Sequence, residues 1–201
     1  MRKDVVFDLG MVLVDWDPRH LFVRHLGIAP DEAERFLSEV CSPDWHIELD
    51  RGRTFDEAVR QLSEAHPRYS EWIGSYAREW PRMFAGVIDS TVAQLHALHR
   101  SGVTLHALSN YPPQRIRFLY ERFDFMQMFH TVVISGLLRV VKPDPEIFER
   151  LLATIDCESC VFIDDREENV AAAAQAGIEA IHFTPADGPL RLAALVESLA
   201  S

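Results

Sequence analysis

Basic residues are scarce in this chain: Lys and Arg total 20 against 31 Asp and Glu, leaving a net charge of −11 over 201 residues. A surface this acidic is repelled by phosphodiester backbones, and no clustered basic stretch offsets it, so nucleic acid is not an expected partner. Long hydrophobic runs are missing too. No apolar segment approaches the roughly 20 residues that cross a bilayer. In the opening MRKDVVFDLG, Asp4 and Asp8 interrupt what a signal peptide would keep apolar. The expectation is a cytoplasmic protein with no membrane partner. Cysteine is sparse, at three residues. An odd number without a secretion signal predicts thiols at Cys41, Cys157 and Cys160 rather than bridges. The lone Cys157-Glu-Ser-Cys160 has no second pair to complete a tetrahedral zinc site, and it precedes a strand where a redox pair would open a helix, so it reads as structural. Internal repeats and low-complexity tracts are also lacking.

What is present is ordinary globular material, 48% apolar and 25% charged, long enough for one domain carrying a sizeable insertion. Five short apolar runs are too continuous for half-exposed strands and suit a parallel sheet buried on both faces: Val5 to Phe7, Val103 to Leu108, Val132 to Ile134, Val161 to Ile163 and Ala180 to Phe183. Helical stretches separate the later ones. One runs from about Ile88 to Arg100 and stops at Ser101-Gly102. Another opens at Asp144-Pro145 as cap and first-turn proline. A third carries Ala171 to Ala174 and ends near Gly177. This alternation predicts an α/β fold with a Rossmann-like, doubly wound parallel sheet.

Between Pro18 and Pro81 the pattern is helical, with Ala29-Pro30-Asp31-Glu32 opening one helix, a Thr54-x-x-Glu57 capping box opening another, and Gly27, Gly52 and Pro67 dividing the segment. Some sixty residues are too many for a crossover. We expect a small helical module, residues 16–83, inserted after the first strand of a core formed by 1–15 and 84–201.

Ligands of open parallel sheets bind beyond the carboxyl ends of the strands. Those positions hold Asp8 in VVFDLGMV, Ser109-Asn110 in LHALSNY, Lys142 in KPDPEIF and Asp164-Asp165 in VFIDDREEN. Each has an ordinary reading as a turn or cap residue. Together at successive strand ends, they describe a site. Three carboxylates repel one another unless a cation sits among them, and hard oxygen ligands select Mg²⁺. Lys142, the Ser109 hydroxyl and backbone N–H groups near Leu9 and Gly10 suit phosphate oxygens. Such a cradle favours phosphoryl transfer, with Asp8 placed for in-line attack and a covalent aspartyl-phosphate as the product of that attack.

FDLGMVLVDWD, LSN, KPDPEIF and FIDDREEN, in this order, resemble the four motifs of the haloacid dehalogenase-like hydrolases over nearly the whole chain, and the helical insert stands where that family carries its cap. The resemblance implies Asp8 as nucleophile and metal ligand and the Gly10 carbonyl as a second ligand. Asp165 would ligate directly, and Asp164 would ligate or hold a metal-bound water. It also implies phosphate contacts from Ser109 and Asn110, charge neutralisation by Lys142, and support of the metal shell by Asn169. The F-D-L-G-x-V opening is similar to a phosphatase branch that includes a bacterial α-D-glucose-1-phosphate phosphatase.

One departure stands out. Phosphatases of this family usually carry a second Asp two positions after the nucleophile as acid and base, and here that position is Gly10. Without it the leaving group must depart easily or take its proton elsewhere. Asp15, Asp17 and His46 are possible substitutes. Trp45, His46 and Arg51 are the insert residues expected to meet the non-phosphate end of the substrate. The expected function is a Mg²⁺-dependent phosphomonoesterase acting on a sugar phosphate or similar small metabolite, as a monomer or homodimer. The alternatives are a 2-haloacid dehalogenase, against which the Asp164-Asp165 pair argues, and a non-catalytic phospho-ligand-binding module, against which the presence of Asp8 and Lys142 argues.

Overall fold

The computed structural model describes residues 4–155, 159–186 and 188–200. Cys157 therefore lies outside the described residues. Cys160 is buried at the start of a strand.

The first strand, β1 (Asp4–Phe7), leads into a two-stranded antiparallel ribbon whose halves are far apart in sequence, β2 (Val14–Trp16) and β3 (Phe84–Val87). Between them run a π-helical turn at His20–His25 and four helices, α1 (Pro30–Glu39), α2 (Pro43–Asp50), α3 (Phe55–Ala65) and α4 (Ser70–Arg78). The chain then alternates: α5 (Asp89–Arg100), β4 (Leu105–Ser109), α6 (Ile116–Arg122), β5 (Thr131–Ile134), α7 (Ser135–Leu138), α8 (Pro145–Ile155), β6 (Cys160–Asp164), α9 (Glu167–Gln175), β7 (Glu179–His182) and α10 (Gly188–Ala200). The main sheet is parallel in the order β5-β4-β1-β6-β7. The expected Rossmann-like α/β architecture is what forms.

Local signals act as their chemistry dictates. Thr54 Oγ1 accepts from the Glu57 N–H at the start of α3, and Asp144 Oδ1 accepts from Glu146 N–H ahead of α8. Gly102, with φ of 78°, and Gly177, with φ of 81°, take the left-handed conformation that closes α5 and α9. The β2–β3 ribbon has no counterpart in the sequence reading. A three-residue strand is too short for period-two patterning, and its partner lies some seventy residues on.

Burial on both faces of the sheet explains the continuous apolar runs. Side chains alternate along a strand, so Val5 and Phe7 of β1 and Leu105 and Ala107 of β4 join one core, which continues into the insert through Phe22, Phe36 and Trp80. Val6, Leu108 and Phe162 join the other, beneath α8 and α9. Phe148 of α8 is fully buried there, edge-on to Phe162 with ring centroids 5.6 Å apart. Phe148→Ala should lower unfolding free energy by about 3–5 kcal/mol through lost burial and an unfilled cavity, measured as a reduced urea midpoint with an unchanged m-value.

Candidate active site

The chain leaves β1 for β4 and β5 on one side and returns to β6 and β7 on the other, so the carboxyl ends of β1, β4 and β6 meet at the point where the winding reverses. The register pairs Phe7 with Ile163. Asp8 follows Phe7 directly, and its N–H donates to the Ile163 carbonyl at 2.8 Å, which ties it beside the end of β6. Asp164 closes β6 and Ser109 closes β4.

Lys142 joins these ends. Its side chain is almost wholly buried, and Nζ lies 2.8 Å from Asp8 Oδ1, 2.6 Å from Asp164 Oδ2 and 3.0 Å from the Leu108 carbonyl. Three acceptors match the three donors of an ammonium group. Burial alone would strip its charge, but Asp164 and Asp8 beside it outweigh that and hold its pKa above the ordinary lysine value. Asn110 fixes the backbone that carries it: the carboxamide oxygen accepts from Lys142 N–H at 2.8 Å and Nδ2 donates to the Lys142 carbonyl at 2.9 Å. Asp164 is fixed in turn. Its Oδ1 accepts from Arg166 N–H and Asn169 Nδ2, each at 2.9 Å.

Asp8, Asp164 and Asp165 each offer a carboxylate oxygen within 4.8 Å of the others. Burial, resisted by Lys142 and reinforced by Asp164 and Asp165, raises the Asp8 carboxyl to about 7. Burial and the neighbouring Asp164 raise Asp165 to about 6. The carbonyl oxygen of the Asn169 side chain is buried with no hydrogen-bond partner among the described residues.

Above this floor lies a cavity of about 400 Å³, within the size range of small-molecule sites. Asp8, Leu9, Gly10, Ser109, Asn110, Lys142, Asp165 and Asn169 all line it. Asp164 sits beneath, fully buried. The expected site residues are thus brought together, with one change of emphasis: the Asn110 side chain holds the Lys142 peptide rather than reaching toward a ligand. The insert forms the opposing wall with Leu37, Cys41, His46, Ile47, Asp50 and Tyr76.

Several expectations for residues in and beside the insert are corrected. Asp15 pairs with His20 at 2.8 Å and Asp17 with Arg19 at 3.2 Å, and neither lines the cavity. Arg51 is exposed and pairs with Glu48 at 3.0 Å, and neither it nor Trp45 reaches the cavity. His46 does line it, but burial lowers its pKa to about 4, its Nδ1 lies 2.9 Å from Tyr76 Oη, and its ring stacks on Trp80. A neutral imidazole is a poor proton donor near neutral pH. Asp50 is the residue that sequence reasoning missed. Nothing in its spacing distinguishes it from any carboxylate ending a surface helix, and its signal is burial, which only packing reveals.

A family model described as haloacid dehalogenase-like hydrolase matches residues 42–177. The chain is 27% identical over 188 residues to the sesquiterpene phosphatase astK of Aspergillus oryzae, covering 90% of both chains. It is 31% identical over 133 residues to a phosphoglycolate phosphatase of Salmonella paratyphi A, covering 64% of this chain and 49% of that one. In structure it is similar to a HAD family enzyme from Bacteroides thetaiotaomicron solved in complex with magnesium and inorganic phosphate, with a TM-score of 0.71, 21% identity, and coverage of 92% of this chain and 95% of that one. With a family match spanning more than half of its residues and its fold shared with a solved member, the chain belongs to the haloacid dehalogenase-like hydrolases.

Proposed function

We propose that this protein is a Mg²⁺-dependent phosphomonoester hydrolase that works through a covalent aspartyl-phosphate on Asp8. The observation that carries the reading is the buried Lys142 ammonium held between Asp8 and Asp164 at the floor of a cavity. It favours the ionised form of Asp8 against the opposing effect of burial and holds the carboxylate in place, and it lends positive charge where phosphate oxygens would arrive. Ser109 and the backbone around Leu9 and Gly10 face the same space.

The donor set fits a hard divalent cation. Three carboxylates against one ammonium leave two excess negative charges in a buried cluster when all are ionised, every donor is oxygen, and the Asn169 carbonyl oxygen nearby lacks a partner. Asp8, Asp165, Asp164 and the Gly10 carbonyl would hold Mg²⁺, which when bound would offset carboxylate charge against an anionic substrate and polarise the phosphoryl group. The residues of the chain do the rest. Asp8 attacks phosphorus in line, Lys142 steadies the charge on nucleophile and phosphate, and the insert, residues 16–83, acts as a cap that shields the reaction of the 1–15 and 84–201 core from water.

The cavity admits a small metabolite. Within that class, its walls favour a phosphate ester of an apolar alcohol over the sugar phosphate expected from sequence. Leu37, Ile47, Trp80, Phe84 and Leu119 line it, and sugar hydroxyls buried against them would give up water without recovering hydrogen bonds. The sesquiterpene phosphatase, similar over 90% of both chains, is named for an apolar terpene skeleton.

Purified protein with Mg²⁺ should release phosphate from alkyl or terpenyl phosphates with a higher kcat/KM than from hexose phosphates. Asp8→Asn or chelator should each remove that release by about 10³-fold or more, and no chloride should appear from 2-chloropropionate. Chelator-insensitive chloride release would sink the proposal.

The pKa shifts predict a pH effect on stability. An acid whose folded-state pKa is raised adds stability that is complete below its unfolded value and is lost as pH rises through the folded one. For Asp8 the window runs from the ordinary carboxyl value of 3.8 up to about 7. In metal-free buffer, wild type should therefore lose urea midpoint relative to Asp8→Asn, whose amide does not titrate, on going from about pH 4 to about pH 8. Adding Mg²⁺ should raise the wild-type midpoint more at the higher pH. Parallel pH profiles for the two proteins would contradict the assignment.

A further inference from the structure

Gly10 leaves the leaving oxygen without its usual proton source. The walls of the cavity hold few other acids. Asp8 and Asp165 belong to the acidic group, Glu34 is exposed and pairs with Arg19 at 2.8 Å, and His46 is neutral. Asp50 remains. It is 4% exposed, lies outside the acidic group, and presents a buried Oδ1 that has no hydrogen-bond partner among the described residues. Its other oxygen, Oδ2, lies 3.5 Å from His46 Nε2, too far for a firm hydrogen bond. Among the described residues no Lys or Arg lies within ion-pair distance of it, so an ionised Asp50 would be a poorly compensated buried charge.

The position of Asp50 is fixed from the core side. The Ser135 hydroxyl, at the start of α7, donates to the Asp50 carbonyl at 2.7 Å and accepts from the Tyr111 N–H at 3.0 Å. Tyr111 directly follows Asn110, which holds Lys142. Two residues beyond Asp50, Gly52 adopts a φ of +98°, and a Cβ there would lie 2.7 Å from the Gly136 carbonyl oxygen. Only glycine permits this approach. The end of α2 is thereby clamped to the segment that follows the strands, which holds a carboxyl of the insert over the floor of the cavity.

We propose that Asp50 is the proton donor that replaces the side chain missing at position 10, a role that rests on the phosphatase reading above. In the first step an Asp8 oxygen bonds to phosphorus as the ester P–O bond breaks. The electron pair of that bond goes to the leaving oxygen, which takes the Asp50 proton and departs as the alcohol. In the second step water bonds to phosphorus, its proton passes to the Asp50 carboxylate, and Asp8 is released, which restores both groups. Burial, with the Asp8 charge adding to it, raises the Asp50 carboxyl to about 8 against the opposing pull of Lys142 and Arg166, so the proton is in place near neutral pH.

The test is kcat/KM across substituted phenyl phosphates of graded phenol acidity, for wild type, Asp50→Asn and Asp50→Asn/Gly10→Asp. Wild type should show a shallow dependence on leaving-group acidity. Asp50→Asn should steepen it, losing about 10²–10⁴-fold on the least acidic phenol and little on p-nitrophenyl phosphate. Adding Gly10→Asp, whose Cβ meets nothing within 4 Å, should restore the shallow slope. A uniform loss across the series, or an unchanged slope, would overturn the proposal. If Asp50→Asn does not fold, the wild-type series decides alone: a shallow slope supports the role and a steep one removes it. Wild type that releases phosphate with a steep slope defeats only the Asp50 role. Wild type that releases none from any ester defeats the phosphatase reading as well.

Discussion

A single buried ammonium group organises this molecule. Lys142 is 2% exposed, and its charge is tolerable only because Asp8, Asp164 and the Leu108 carbonyl surround it at hydrogen-bond distance. Those three partners come from the carboxyl ends of β1, β6 and β4, so the order of strands in the centre of the sheet and the existence of the site are one constraint. Removing either carboxylate would leave an underpaired buried charge, a disruption of about 3–5 kcal/mol in comparable cases. The Asn110 carboxamide and the Asn169 amide extend the same logic outward, holding the Lys142 backbone and the Asp164 carboxylate where the ion pairs need them.

Around that centre the cavity divides by origin. Asp8, Ser109, Asp164 and Asp165 come from strand ends, and Lys142 from the turn between α7 and α8. The apolar walls come mainly from the insert and the ribbon that leads into it, through Leu37, Ile47, Trp80 and Phe84. The proposed division of labour follows: phosphate chemistry belongs to the sheet, and choice of alcohol to the insert. The clamp from Ser135 to the end of α2 and the close approach of Gly52 to Gly136 couple the two parts, so the group proposed to protonate the alcohol is positioned by the same core that positions Asp8.

Much of this was legible before any coordinates. Continuous apolar runs identified the strands because both faces of the sheet are buried, and Asp144-Pro145, Gly102 and Gly177 marked helix ends through local stereochemistry that needs no partner. The residues just past the runs, Asp8, Ser109 and Asp164-Asp165, meet at the cavity or its floor together with Lys142, which follows α7 rather than a strand. The insert was legible as helices but not as a surface. Asp15, Asp17 and Arg51 looked as eligible as Asp50, and each is held by a neighbouring His, Arg or Glu away from the cavity.

The chain by itself determined the alternation of strand and helix, the helical character of the stretch between Pro18 and Pro81 and the chemical groups at strand ends, because these follow from periodicity and from backbone preferences within a few residues. The tertiary structure alone decided which insert carboxylate is buried, that β2 and β3 pair across some seventy residues, and that the walls of the cavity are apolar. Burial and pairing depend on which surfaces meet when distant segments pack, and that is set by the summed contacts of the whole chain rather than by any local run of it.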